Sequence, residues 1–313
     1  MTAILERYGR PALWLCVALV APLFLGPYGH YILAIILIYS LIALSLLVLL
    51  GLGGQISMGQ AAFWAIGAYG SAVLVTKAGL PFALGILGGG VIAGIFGLIV
   101  SLPALRVQGH YLAIATLGFS LVVHLGLLEL GFLTGGRQGL PVPRPTFFSY
   151  ELQEDLPYYY VILFVVVVAV WLTANFRKSF VGHGLASLRM SPIAAQLVGI
   201  GRAYHLIIAF VFSSVLCGVS GGLYAHLIGH LSTDSFTLMV SLSFLTMAII
   251  GGMGSIHGAF VGAIFLAVLP EYLRGFTEAQ NIIYGAILII CMRFLPNGLS
   301  SAPGLVLNYL RKK

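Results

Sequence analysis

Ten apolar stretches divide the sequence, and each approaches the length that an α-helix needs to cross a bilayer. The hydrocarbon core of a bilayer is about 30 Å thick, which requires roughly 20 apolar residues in helical conformation. Transmembrane helices are therefore predicted over residues 11–28, 31–50, 60–77, 80–102, 110–132, 158–175, 203–229, 238–253, 256–273 and 281–296. The third, eighth and ninth stretches are short and interrupted by glycine, so one of them could be re-entrant instead of spanning.

Composition excludes a water-soluble domain. Of the 313 residues, 60% are hydrophobic and only 7% are charged, whereas soluble domains carry about 25% charged residues. Lipid must cover most of the surface, so the sequence predicts an all-α polytopic integral membrane protein. Its single transmembrane domain is expected to occupy residues 1–313.

The distribution of charge tests the number of spans. If the N-terminus is cytoplasmic and ten spans follow, the cytoplasmic side receives eleven of the fifteen basic residues and one of the eight acidic residues. Cytoplasmic loops of membrane proteins carry such an excess of lysine and arginine. The pattern predicts a bacterial inner-membrane protein with about ten transmembrane helices and both termini in the cytoplasm.

Two loops are longer than the rest. Residues 133–157 form a proline-rich outer loop, and residues 177–202 form a basic cytoplasmic loop. Within the second loop, Ser191 and Pro192 are typical of a helix start, and Gly199 is typical of a helix end. The sequence predicts a short helix there with an apolar face, which could pack on its own helix bundle or in a groove of a separate cytoplasmic subunit.

A glycine-rich run follows the second apolar stretch. Residues 51–60 read GLGGQISMGQ, in which polar residues interrupt an apolar region. The run is either a plain cytoplasmic turn or a break that lines a pathway, because irregular backbone is tolerated at membrane depth only where protein or water covers it. The candidate pathway-lining residues are Gln55, Ser57 and Gln60. A weakly similar run, residues 251–258, joins the eighth and ninth stretches.

Motifs for an enzyme are lacking from the sequence. It contains no Ser-His-Asp arrangement, no metal-ligand cluster and no glycine-lysine phosphate loop. We therefore expect neither catalytic nor metal-binding residues, and no ATP bound through a Walker A motif. Charged residues within the apolar stretches are nearly absent, whereas proton-coupled carriers keep carboxylates there.

Five motifs, in order along nearly the whole chain, resemble a known family. They are GLGGQISMGQAAFWAIGAYGSAVL (51–74), GHYLAIATLGFS with LTGGRQGL (109–120 and 133–140), RMSPIAAQLVGI (189–200), AIIGGMGSIHGAFVGAIFLAVLPEYL (248–273) and RFLPNGL (293–299). The family is that of the branched-chain amino acid ABC transporter permeases, of the LivM type.

This resemblance implies a permease like those of type II ABC importers, which encloses half of an import pathway for branched-chain or other hydrophobic amino acids. The implied partners are a second, LivH-like permease, two cytoplasmic ATPase subunits and an extracytoplasmic substrate-binding protein. No cofactor is expected on this chain, since ATP and Mg²⁺ would bind to the ATPase. The helix that couples to the ATPase would comprise Arg189, Ser191, Pro192, Ala194, Ala195 and Gly199. Family members are usually acidic before the Ala-Ala pair, and here Met190, Ser191 and Pro192 stand instead.

Alternative functions remain open on sequence alone. The same architecture could import urea, short amides or another small organic solute, because selectivity in such importers lies largely with the binding protein. A different class would be an ion-coupled secondary carrier or a channel. The partner permease could be a second copy or a related chain.

Overall fold

A computed structural model describes residues 18–107, 109–147, 150–151, 155–272, 285, 289 and 298–299. Ten helices of six or more residues lie in this part of the chain. They are α1 (Pro27–Leu46), α2 (Gln60–Thr76), α3 (Phe82–Ala104), α4 (His110–Glu129), α5 (Asp155–Lys178), α6 (Phe180–Met190), α7 (Pro192–Leu197), α8 (Arg202–Ile228), α9 (Leu238–Gly251) and α10 (Ile256–Tyr272).

Shorter elements join these helices. A 3-10 turn at Ala21–Phe24 precedes α1, and a π-helical turn at Leu47–Leu52 follows it. Short turns at Gly131–Thr134, Gly136–Gln138 and Thr233–Phe236 lie in the connections. Four two-residue strands are β1 (Leu140–Pro141), β2 (Thr146–Phe147), β3 (Tyr150–Glu151) and β4 (His230–Leu231), of which β1 pairs with β4 and β2 with β3, both antiparallel.

Helix α8 lies at the centre of the bundle, where α2 and α3 pack against it. Small residues make this close approach possible, since a Cβ atom added at Gly67 would lie 2.1 Å from the carbonyl oxygen of Gly218. On α3, a Cβ at Gly97 would overlap the hydroxyl of Ser214. Close packing of small residues holds membrane helices together where no hydrophobic effect operates between them. The glycines of the sequence therefore determine which helices form the core.

The outer loop is fastened to the end of α8. Besides the β1–β4 pair, the Val142 amide donates to the Gly229 carbonyl at 2.9 Å. His226 on α8 is buried, with Nδ1 3.0 Å from the Pro143 carbonyl and Nε2 3.2 Å from the Ser71 hydroxyl. A carbonyl only accepts, so the Nδ1 atom carries the proton. The imidazole thus joins the loop to two core helices.

Long apolar helices confirm a multi-pass membrane protein. Five helices of the described residues are long and apolar enough to cross a bilayer: Pro27–Leu52, Phe82–Ala104, His110–Glu129, Leu156–Lys178 and Arg202–Ile228. Their bounds lie within a few residues of the predicted stretches. The three weak stretches are helices of 17, 14 and 17 residues. The tenth stretch (281–296) and the start of the first lie largely or wholly outside the described residues.

One element of the cytoplasmic loop was missed by the sequence analysis. Helix α6 occupies Phe180–Met190, where only the shorter helix after it was predicted. The hydroxyl of Ser179 accepts a hydrogen bond from the Gly182 amide and so caps α6. Leu185 and Leu188 are buried on one face, at helical spacing. The apolar pattern was present, but it is too short to stand out beside bilayer-length stretches.

Candidate functional site: an interrupted helix next to the cytoplasmic loop

The second apolar stretch does not end in a simple turn. Helix α1 widens into the π-helical turn at Leu47–Leu52 and then unwinds over residues 53–59, before α2 begins at Gln60. We call residues 53–59 the unwound segment. Gly54 adopts a φ of +63°, a backbone conformation that residues with a side chain rarely adopt. π-Helical turns are rare and occur frequently at functional sites.

Contacts with neighbouring helices measure the depth at which α2 begins. The Gln60 side chain donates to Ser213, which lies eleven residues after the start of α8. The Ala61 amide donates to the hydroxyl of Ser241, ten residues before the end of α9. At 1.5 Å per residue, both contacts are about 15 Å from the helix ends on that side.

Helix α4 gives the same depth. Ser120 lies ten residues after the start of α4 and donates to the Met58 carbonyl at 2.9 Å. The starts of α4 and α8 lie level with the beginning of the unwound segment, since Gly109 and Arg202 line one cavity with residues 53–55. The unwound segment therefore extends about 15 Å into the bundle, and α2 starts at that depth.

Polar side chains hold the unwound segment at this depth. Thr116 of α4 accepts from the Met58 amide at 2.9 Å, so both backbone groups of Met58 are bonded to one helix. The carbonyl of Gln60 accepts from the buried thiol of Cys217, and its side-chain oxygen accepts from Ser45. Thr116 and Ser120 replace the backbone hydrogen bonds that a continuous helix would supply to Met58, as an apolar environment demands.

The second glycine run lies against the first. A Cβ atom at Gly51 would come within 2.2 Å of the Met253 carbonyl oxygen. Helices α9 and α10 approach each other equally closely, since a Cβ at Gly251 would lie 2.1 Å from the Gly258 carbonyl oxygen. The two runs, about 200 residues apart in the sequence, meet at the level of the π-helical turn.

The predicted helix of the cytoplasmic loop is present as α7. The Ser191 hydroxyl accepts from the Ala194 amide at 3.3 Å, and Pro192 is the first helical residue. Helix α7 ends at Leu197, and Gly199 follows with a φ of +84°. Ala195 is buried, whereas Pro192 and Ala194 are exposed.

An exposed apolar patch covers the outward side of this loop. Its members keep three quarters or more of their surface accessible: Met190 89%, Ile193 76%, Leu197 83% and Val198 76%. We call these four residues the loop patch. Exposed apolar surface of this kind is typical of an interaction site. None of these four belongs to the six residues assigned to the coupling helix from the sequence, which are Arg189, Ser191, Pro192, Ala194, Ala195 and Gly199.

The predicted pathway-lining residues are placed differently from one another. Ser57 and Gln60 are buried among α1, α2, α4 and α8, and both polar side-chain atoms of Gln60 are hydrogen-bonded there. Gln55 is half-buried beside a cavity of about 190 Å³. Gln55, Arg189, Pro192 and Arg202 line this cavity, so it joins the unwound segment to the loop helices. A role of the three residues in the pathway remains a prediction.

Three polar residues at the unwound segment were not identified from the sequence. They are Thr116, Ser120 and Ser241. Isolated hydroxyls in apolar stretches carry no sequence signal for a partner that lies at least 58 residues away. No group of three metal-ligating side chains is present in the described ranges.

Comparison with known proteins agrees with the earlier resemblance. Residues 30–292 match the model of the family described as branched-chain amino acid transport system, permease component. The Escherichia coli K12 high-affinity branched-chain amino acid transport system permease protein LivM is 32% identical over 84% of this chain and 68% of the relative. The corresponding LivH protein of Salmonella typhimurium is 23% identical over 85% of this chain and 92% of the relative. No solved structure matches significantly.

Proposed function

Because the chain belongs to the branched-chain amino acid transport permease family, we propose that it forms half of the transmembrane pathway of an ATP-driven importer. Its substrates would be branched-chain or other hydrophobic amino acids. The family model and the relatives support a role as a multi-pass transport permease. The importer mechanism, the direction of transport and the substrate are parts of the proposal.

One observation supports the proposal most directly: the loop patch. Met190, Ile193, Leu197 and Val198 are apolar and exposed, and they lie in the loop whose charge is wholly basic. A bare apolar surface of a cytoplasmic loop would be unfavourable in water, so it requires a partner. A short helix that presents apolar residues suits a hydrophobic groove on a separate protein. That protein would be the ATPase subunit.

The other partners follow from this assignment. Two ATPase subunits would bind ATP and Mg²⁺, and this chain would bind neither. A second permease, similar to LivH, would complete the pathway, and an extracytoplasmic binding protein would deliver substrate at the outer loop. The β1–β4 pair and His226 hold the outer loop to the end of α8. The binding protein would therefore meet a fixed surface there.

Reconstitution tests the proposal. The chain is assembled in proteoliposomes with its cognate permease, ATPases and binding protein, and uptake of radiolabelled leucine is measured with and without ATP. We expect uptake only with ATP and with every subunit present. Uptake of urea or a short amide in place of leucine would reassign the substrate. Uptake without the ATPases, driven by an ion gradient, would identify a secondary carrier and contradict the proposal.

Substitution within the loop patch tests the docking surface. Leu197→Asp should prevent the ATPases from copurifying with the permease, because a desolvated carboxylate would face an apolar groove. The matched control is Gln196→Asp, which places the same charge on the neighbouring exposed residue and removes no apolar contact. Equal copurification of both variants would show that the loop patch does not dock.

A further inference from the structure

A side-chain hydrogen bond joins the loop helices to the interrupted helix. Arg189, near the end of α6, donates from Nη1 to the carbonyl of Gly51 in the π-helical turn. Its aliphatic part passes over Gly54, where an added Cβ atom would lie 2.9 Å from the Arg189 Cγ atom. The guanidinium and its stem thus contact both the π-helical turn and the unwound segment.

The position of Gly51 makes this contact sensitive to movement of α6. Its carbonyl is in the last turn before the helix unwinds, where carbonyl groups lose their helical partners. Leaving such a buried group without a hydrogen bond is unfavourable. Arg189 is permanently charged and provides that bond. A displacement of α6 therefore either moves Gly51 or leaves its carbonyl unsatisfied.

The far end of the unwound segment is held by different elements. Met58 is bonded to Thr116 and Ser120 of α4, and Ala61 to Ser241 of α9. The segment between these points is thus tied to the cytoplasmic loop at one end and to the bundle at the other. A segment with these two attachments can change shape when the loop moves relative to the bundle.

We propose that Arg189 is the positioning residue through which the loop helices α6 and α7 move the unwound segment during transport. The inference rests on the proposed function, since the movement of the loop would come from the docked ATPase. Binding of ATP displaces α7, and α6 follows because Ser191 joins the two helices and is hydrogen-bonded to Ser187 of α6 and to Ala194 and Ala195 of α7. Arg189 carries the displacement to Gly51 and Gly54. The inner part of the pathway wall changes shape as a result.

Arg202 provides a matched control within the same cavity. It lines the cavity together with Arg189, Gln55 and Gly54. Its side chain makes no hydrogen bond to the π-helical turn or to the unwound segment in the described part of the chain. Replacing Arg202 therefore removes the same charge from the same cavity without removing the attachment.

The first test is the number of substrate molecules taken up per ATP hydrolysed by the reconstituted complex. Arg189→Met should lower this ratio about fivefold or more while ATP hydrolysis continues. A factor of this size is typical of the coupling between two sites of a protein. Arg189→Lys, which can still donate to the Gly51 carbonyl, should recover part of the loss. Arg202→Met should keep the ratio of the unaltered complex.

The second test observes the unwound segment directly. Ile56→Cys is introduced with the native cysteines replaced, and its labelling by a maleimide is followed in inside-out vesicles. With Arg189 present, trapping the complex with ATP and vanadate should change the labelling rate. With Arg189→Met, the rate should be the same in both states.

Three results would overturn the inference. The first is an unchanged uptake ratio in Arg189→Met, and the second is an equal fall of the ratio in Arg202→Met. The third is a response of Ile56→Cys to ATP and vanadate that persists without Arg189. Failure of the proposed function is distinguishable from all three, because the unaltered complex would then show no ATP-driven uptake at all.

Discussion

At the scale of single residues, small side chains determine where helices meet. Gly67 and Gly218 bring α2 and α8 so close that a methyl group would overlap the opposite backbone. Gly118, on α4, has no atom within 4 Å of an added Cβ. Both are glycines inside membrane helices, and the sequence alone does not distinguish them. Their packing partners make one indispensable and the other replaceable.

The two glycines should respond oppositely to alanine. Gly67→Ala forces α2 and α8 apart, and overpacking of this kind costs about 1–3 kcal/mol. Gly118→Ala enters open space and gains about 0.5–1 kcal/mol of helix propensity. Thermal unfolding of the purified variants in detergent, followed by tryptophan fluorescence, should show a lower midpoint for the first only. A similar fall in Gly118→Ala would contradict this account of the packing.

At the scale of elements, α7 has an inner and an outer side with different tasks. Ala195 faces inward and is only 4% exposed, whereas its neighbour Ala194 is exposed. The inward side joins α7 to the rest of the loop, and the loop patch faces outward. A substitution at an alanine of this helix therefore tests folding or docking according to the side on which it lies.

Adjacent alanines should separate these tasks. Ala195→Glu buries a carboxylate against the loop, which is unfavourable without a partner, and should detach α7. Ala194→Glu adds the same charge at an exposed position and should leave the loop folded. Trypsin cleavage at Arg189 and Arg202 in inside-out vesicles measures whether α7 is detached. The cleavage rate should rise in Ala195→Glu. If both variants are cleaved at the rate of the unaltered protein, Ala195 does not hold α7 in place.

At the scale of the whole molecule, the bundle is asymmetric in depth. Helix α2 begins about 15 Å from the end at which the loop helices lie, and the unwound segment occupies that depth instead of a helix. The loop helices, the two glycine runs and the unwound segment all meet at one end. The charge distribution of the sequence predicts that this end faces the cytoplasm.

Labelling of introduced cysteines tests that orientation. In a variant without native cysteines, Leu197→Cys should react with a membrane-impermeant maleimide in inside-out vesicles and resist it in intact spheroplasts. Ala78→Cys, in the turn after α2, should show the opposite behaviour. Both positions are exposed, so burial cannot account for a difference. Labelling of both from the same side would contradict the alternation of spans.

By itself, the sequence determined the apolar stretches and the start and end of α7, and it predicts the side of the membrane on which each loop lies. Each of these depends on local information: hydrophobic length, charge between spans, and the capping residues Ser191 and Gly199. The cytoplasmic helix α6 was missed, since its apolar pattern is short.

Only the tertiary structure decided at what depth in the bundle α2 begins and what Arg189 touches. Ser241 bonds to Ala61 across 180 residues, and Arg189 to Gly51 across 138. Such contacts depend on how deeply each helix is inserted and how it is rotated in the bundle. Apolar composition does not specify either property, because lipid and protein interior are equally apolar. The packing of small residues and the pairing of buried polar groups specify both.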